Sequence, residues 1–388
     1  MNPVHKGLEA IEMNDPDVFV AADNVFSPLG ITTAENFLKL KQGVSAVKQH
    51  HNLKISPQPF CAALFNKDEP FNDQLNYTKF EQLLIASIND ALRTSGINAD
   101  DKKTVLIIST TKGNISLLET ELNSPGLQKR IALPTSAKLI SNHFGFVNQP
   151  VIISNACISG VLAIITGMRF LRSGQYENAV IAGADVISKF VLSGFESFQA
   201  LSSEICKPFD KLRDGLNLGE GAGTIILSAN KRYKENIKAK SGSVSNDANH
   251  ISGPSRTGEE LAYAINKAIA DANISPGHID FISAHGTATV YNDEMEANAI
   301  TLANLRSVPA NSLKGYYGHT LGAAGLIESI ISIQSLKENL VLPTLGFTDM
   351  GVTNPPNICT DTLPGNFKNF LKTASGFGGC NAAVVFGK

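Results

Sequence analysis

No stretch of the 388-residue chain stays apolar for long enough to cross a bilayer. Runs such as Val105–Ile108 and Val161–Ile165 fall far short of the roughly 20 residues that a spanning helix needs. An apolar leader core is missing too, because Met1–Asp17 carries acidic and polar residues where a secretory signal would be hydrophobic. Cysteine is scarce. The five present (61, 157, 206, 359 and 380) show no paired spacing, which argues against a disulfide framework and fits a reducing cytoplasm. With no Cys-x2-Cys pair and no Cys/His cluster, structural zinc is not expected. An excess of either charge is also lacking: the formal net charge is −2 and there is no long basic tract. Nucleic acid is therefore disfavoured as a partner. An acidic protein partner would need a local basic patch, for which Lys129 and Arg130 are candidates.

What the chain does have is apolar content, 43% of its residues, enough for a large core. The length suits two or three domains, or two fused halves. The 32 glycines and 17 prolines are spread along the chain rather than gathered in one tract. Short β-branched runs at 18–22, 104–109, 151–154, 179–183 and 223–228 read as strands. Between them, 80–93 places Phe80, Leu83, Leu84, Ile88, Ala91 and Leu92 on one helical face, and Gly96 stops the helix. The nearly all-apolar 159–171 reads as a buried helix. The stretch 230–240 holds five Lys or Arg and one acid, and reads as a solvated connection. A second set follows: strands at 242–246, 278–284, 308–311 and 381–386, and helices at 259–272, 294–304 and 322–336. This alternation predicts a layered α/β fold with mainly parallel strands, in two halves spanning 1–229 and 230–388.

Three positions could carry chemistry. Cys157 lies where an apolar strand runs through a small-residue turn into a helix. A helix N-terminus favours negative charge, so a thiol there is expected to titrate low. The plainer reading is a small buried core residue. His285 ends another apolar strand in Ile-Ser-Ala-His-Gly-Thr-Ala-Thr, at the edge where α/β folds place ligands; it could equally cap a turn. His319 stands in Lys-Gly-Tyr-Tyr-Gly-His-Thr-Leu-Gly-Ala-Ala-Gly, which could also be a packing turn. Lys314 precedes it by five residues and could hold a carboxylate ionised.

Taken in order, these motifs resemble the elongating β-ketoacyl-(acyl-carrier-protein) synthases. The Ala-Cys loop, His-Gly-Thr-x-Thr, Lys-x4-His-x2-Gly-Ala-Ala-Gly and the closing Gly-Phe-Gly-Gly-Cys-Asn all match that family. So does the mid-chain Lys-Pro-Phe-Asp-x2-Arg-Asp-Gly…Gly-Glu-Gly-Ala-Gly (207–223). The resemblance runs from Val18 onward. It implies a thiolase-type, five-layered α-β-α-β-α fold, usually dimeric.

By the same resemblance, Cys157 would take the acyl chain from a carrier thioester. His285 and His319 would act on the incoming malonyl thioester and stabilise its enolate. Lys314 would pair with Glu296, and Glu328 would be a supporting carboxylate. Thr287 and Thr289 would hydrogen-bond the phosphopantetheine arm. Phe377 would be a gating phenylalanine whose N–H, with that of Cys157, forms an oxyanion hole. The implied partners are an acyl carrier protein, acyl and malonyl thioesters, and a second subunit, identical or related. No metal or organic cofactor is implied beyond the carrier's own arm.

Departures from the family pattern touch the pocket rather than the Cys/His/His set. Ile158 follows the nucleophile, Tyr316–Tyr317 precede Gly318, Ser375 replaces a phenylalanine and Cys380 a threonine. They suggest a specialised synthase for unusual or unsaturated chains. A thiolase would carry asparagine where His285 stands, and a starter-type condensing enzyme would carry asparagine where His319 stands. A non-catalytic chain-length-factor-like partner would usually lose the nucleophile, which is retained here.

Overall fold

A computed structural model describes residues 16–66, 76–248 and 253–388. The opening stretch used in the signal-peptide argument lies outside them up to residue 15. Five core strands form the first half: β1 (Phe19–Phe26), β2 (Thr104–Ser109), β3 (Val151–Ile153), β4 (Asn178–Asp185) and β5 (Gly221–Ser228). Five more form the second: β6 (Lys238–Asn246), β7 (Phe281–Ser283), β8 (Pro309–Asn311), β9 (Asn369–Gly376) and β10 (Cys380–Gly387). The first half is ordered β3-β2-β4-β5-β1 and the second β8-β7-β9-β10-β6, with Asn357–Ile358 added at the outer edge. Each strand of the first half has its counterpart five numbers later. In each half three strands run parallel and two close the inner side antiparallel. The sheets are therefore mixed, not mainly parallel. They meet edge to edge through the single pair Phe19 and Lys238.

The helices repeat the pattern. On the outer face of the first sheet lie α1 (Lys79–Ser95) and α2 (Leu133–Phe144). On the outer face of the second lie α4 (Glu259–Asp271) and α5 (Val290–Leu302). Helix α1 shows why such segments form. Thr78 and Glu81 make a reciprocal capping box, one face is apolar, and Gly96 ends the helix in the left-handed conformation. Between the sheets lie α3 (Ser159–Arg172) and α6 (Ala324–Glu338), packed on each other and on strands of both halves. Every residue of α6 from Ala324 to Ile333 is buried, as a helix sandwiched between two sheets requires. Close approach is possible because Gly160 faces α6: a Cβ there would lie 2.7 Å from the Leu326 nitrogen. The result is the five-layered α-β-α-β-α body that the resemblance implied.

Two expectations need correcting. Residues 230–240 are not simply a solvated connection: β6 begins at Lys238, and Lys240 is half-buried with Nζ 2.6 Å from Asn369 Oδ1. Arg130 is not a free surface cation either. Its guanidinium forks onto the buried carboxylate of Glu81, which leaves Lys129 alone as the exposed half of that pair.

Candidate active site

The first half contributes the candidate nucleophile on a strained turn. After β3 the chain turns through Ala156, a non-glycine residue at φ 43°, and presents Cys157 two residues before α3. Ser159 braces the turn: its hydroxyl donates to Ala156 O at 2.6 Å and accepts from Asn155 N at 2.8 Å. No side chain caps the N-terminus of α3, two residues beyond the thiol. The expected low thiol titration is nonetheless not met. Burial pushes the Cys157 thiol up to about 12, against the opposing pull of the Lys314 and Lys112 ammonium groups. The resting nucleophile is a thiol.

The second half contributes the imidazoles. His285 follows β7 and His319 closes the loop after β8. Their ring centroids are 5.3 Å apart at 81°, edge to face. The Cys157 sulfur and one ring nitrogen from each histidine all lie within 4.8 Å of one another. Three residues scattered along the chain thus converge on one point.

Backbone contacts aim His319. Its N–H donates to Asn217 O at 2.6 Å, and its carbonyl accepts from Gly219 N at 3.1 Å. The mid-chain signature is therefore the cradle of this loop. Gly318 is required there: at φ 65° it lies so near the cradle that a Cβ would come within 2.5 Å of Leu218 O. The Leu321 N–H donates to His319 Nδ1 at 3.2 Å, which places the ring proton on Nε2. That Nε2 is buried without a partner among the described residues, a donor held ready for an incoming oxygen. Burial, and then the charge of Lys314 and Lys372, holds both rings well below the ordinary 6.5, so both are neutral.

The ion pairs behind the rings differ from the expectation. Lys314 does not pair with Glu296. Its ammonium meets Glu328 Oε1 at 2.5 Å, while Lys372, on β9, meets Glu328 Oε2 at 2.6 Å. Burial alone would raise the Glu328 carboxyl, but the two ammonium groups outweigh it and hold it down. Glu296 serves the backbone instead. It accepts from the N–H groups of His285 and Gly286 at 2.8 and 2.7 Å, and from the Thr373 hydroxyl at 2.6 Å. The resemblance pointed to it through the Asp-x2-Glu segment after His285, midway along α5; the Lys314 side chain instead meets Glu328 on α6.

A cavity of about 430 Å³ opens over the sulfur and both rings. Thr287 and Thr289 line it, their hydroxyls 2.9 Å apart, and Asp293 fixes the Thr287 N–H at 2.9 Å. Phe377 lines it too and stands at its mouth, 38% exposed, stacked on Phe195 at 6.0 Å and edge-on to Phe198 at 5.4 Å. Its neighbour Gly376 lies against the Cys157 backbone, where a Cβ would sit 2.9 Å from the Cys157 nitrogen. The departures Ser375 and Cys380 are here as well. Ser375 Oγ is 2.7 Å from Asn381 Oδ1, and Cys380 Sγ is 3.4 Å from Phe377 O.

Models of the β-ketoacyl synthase N-terminal and C-terminal domains match residues 17–232 and 238–348. The chain belongs to the β-ketoacyl synthase family. A putative mitochondrial 3-oxoacyl-[acyl-carrier-protein] synthase of Schizosaccharomyces pombe is 29% identical, over 96% of this chain and 99% of its own. The 3-oxoacyl-[acyl-carrier-protein] synthase 2 of Vibrio cholerae is 28% identical, over 96% and 99%. Among solved structures, a chain of the ishigamide ketosynthase/chain length factor superposes with TM-score 0.87 at 25% identity, covering 96% of this chain and 99% of that one. A chain of the ketosynthase–chain length factor complex from Xenorhabdus doucetiae gives 0.85 at 24%, over 96% and 98%, and so shares the fold. The synthase is an acyltransferase-type condensing enzyme.

Proposed function

We propose that the synthase carries out decarboxylative Claisen condensation between an acyl group on Cys157 and a malonyl group on a carrier protein. The observation that supports this reading is the convergence of one sulfur and two imidazole nitrogens within 4.8 Å beneath a single cavity.

In the first half-reaction Cys157 sulfur bonds to the acyl carbonyl carbon and the carrier's thioester bond breaks. The thiol proton ends on the departing carrier thiol. Because the resting thiol is protonated, the transition state gains most from what favours the developing anions: the N-terminus of α3 for the sulfur, and the N–H groups of Cys157 and Phe377 for the carbonyl oxygen. In the second half-reaction the malonyl carboxylate leaves as CO2, and its bonding pair becomes an enolate. Nε2–H groups of neutral His319 and His285 donate to the enolate oxygen. The enolate carbon then attacks the acyl carbonyl, expelling the Cys157 thiolate, which regains a proton. Thr287 and Thr289 are placed to hydrogen-bond a phosphopantetheine arm. These side chains supply the chemistry, and the carrier's arm is the only prosthetic group the reading calls for.

An acyl carrier protein is the partner this chemistry needs, and a second subunit, identical or a chain-length factor, is the expected assembly. The role of chain-length factor for this chain itself is disfavoured by its complete Cys157/His285/His319 set. Five unpaired cysteines favour work in the cytoplasm. Among the described residues no helix is long and apolar enough to cross a membrane.

The test is mass spectrometry after incubation with an acyl-carrier thioester, together with release of CO2 from malonyl-carrier. A single acyl adduct on Cys157, absent in Cys157→Ala, is expected. That variant should still release CO2, because the imidazoles do not need the sulfur to hold an enolate. An unlabelled Cys157 in active-looking preparations would sink the reading.

A further inference from the structure

Lys372 has no place in the three-residue centre, and the reading above assigns it no role. It is a lysine in a strand that otherwise buries Phe370, Leu371, Thr373 and Ala374, and it is fully buried itself. A buried ammonium is costly unless every donor is used. Here three oxygens surround it. Nζ meets Glu328 Oε2 at 2.6 Å, Ser283 O at 3.2 Å and Ala284 O at 3.1 Å. Those two carbonyls belong to the residues immediately before His285. One side chain thus ties the peptide that aims an imidazole to the carboxylate that also holds Lys314.

A charge count gives the second strand of the argument. Lys314 and Glu328 cancel, which leaves Glu296 under the His285 backbone as a buried carboxylate with no ion pair among the described residues. Lys372 balances it. Without that second ammonium, the charge around the rings shifts further toward the carboxylates and favours imidazolium, which would protonate the enolate rather than only stabilise it.

We infer that Lys372 is a positioning residue of the condensation: it anchors the turn that carries His285 and supplies the second cation of a buried Lys314–Glu328–Lys372 ion triad behind both rings. The inference rests on the reading of this site as a condensing centre. The groups facing the rings are Cys157 from the turn before α3, Lys314 from the loop after β8, Glu328 from α6, Lys372 from β9, and Glu296 and Asp293 from α5. Asp185 lies under the same loop at Gly322 N, 2.7 Å away, and Asp214 and Asp247 line the cavity. Of these, Lys314 and Lys372 are the charges that push both rings down, and His319 adds to the effect on His285.

The experiment combines two readouts on purified full-length protein: imidazole titration by NMR with labelled histidine, and the pH profile of CO2 release from malonyl-carrier. In the wild type, neither His285 nor His319 should titrate near the ordinary 6.5. In Lys372→Met both rings should titrate higher by about one pH unit, as expected for loss of a nearby like charge. Its rate should fall at the acid end of the profile and recover toward alkaline pH. Lys372→Arg should keep the wild-type profile, and Lys372→Met/Glu328→Gln, which restores the charge count, should bring the titration back. A Lys372→Met loss equal at every pH with unmoved rings would mean a merely structural lysine and overturn the inference, as would an unchanged Lys372→Met. If that variant does not fold, a wild-type ring protonating near 6.5 overturns it equally. Absence of CO2 release in the wild type would instead count against the condensing reading, since the NMR titration is read without turnover.

Discussion

The two halves of the synthase share one strand order and one helix plan, yet they bring opposite electrostatics to the site. The loop after β2 in the first half is locked by Asp185, which accepts from the Thr110 and Thr111 hydroxyls and the backbone N–H groups of Thr111, Lys112 and Gly322. Hydroxyls and amides do that work. The corresponding loop after β7 carries His285 and is backed by Glu296, Glu328, Lys314 and Lys372, all buried. On the proposed reading the nucleophile comes from the half whose loop is locked by one carboxylate without a buried ammonium beside it, and burial keeps its thiol protonated. The groups that must meet a carboxylate and then an enolate come from the charged half. A repeated fold thus fixes where side chains converge, while the buried charges decide which partial reaction each half serves.

Separating the two partial reactions is the strongest way to break this division. His319→Ala should lower CO2 release and condensation by about 10³-fold, the scale of losing one aligned donor to a developing oxyanion. Acyl transfer to Cys157 should survive in that variant, read as the mass adduct. Failure of acylation would show that the halves do not divide the chemistry.

Stability should differ between the halves in the same sense. Glu328→Ala strands two buried ammonium groups and should cost about 3–5 kcal/mol in denaturant unfolding. Asp185→Asn removes no cation's partner and should cost about 1–2 kcal/mol. Equal costs would erase the contrast.

A pH-dependent effect concerns Asp293, which burial raises from 3.8 to about 6 while the Phe209 N–H, at 2.7 Å, pulls it down. A carboxyl with a native titration above its unfolded one binds its proton more tightly when folded. Its contribution is intact below pH about 4, is lost as pH rises through about 6, and amounts to about 2–3 kcal/mol. The unfolding free energy of Asp293→Asn should lack that decline between pH 4 and 6, and a parallel pH dependence in both proteins would refute the assignment.

The three candidate side chains were legible because Cys157 and His285 each follow an apolar strand and His319 stands in a glycine-rich motif, and local pattern fixes such placements. The helices 80–93 and 159–171 were legible for the same reason. The partner of Lys314 was not, since Glu296 and Glu328 both lie within reach in sequence terms and only the crossing of α6 beside the loop selects Glu328. Lys372 escaped because β9 was not recognised as a strand. The available signal was a single lysine among Phe370, Leu371 and Ala374, the mark of a charge destined for burial. The thiol's high titration was invisible for another reason: a helix end is local, whereas burial depends on the whole assembly.

Convergence across the seam between the two sheets has a consequence for the nascent chain. While only the first half has emerged, its cysteine has no imidazole of the site beside it, because His285 and His319 both follow it in the chain. On the proposed reading, completion of the fold is therefore what brings the sulfur together with the groups that make it useful.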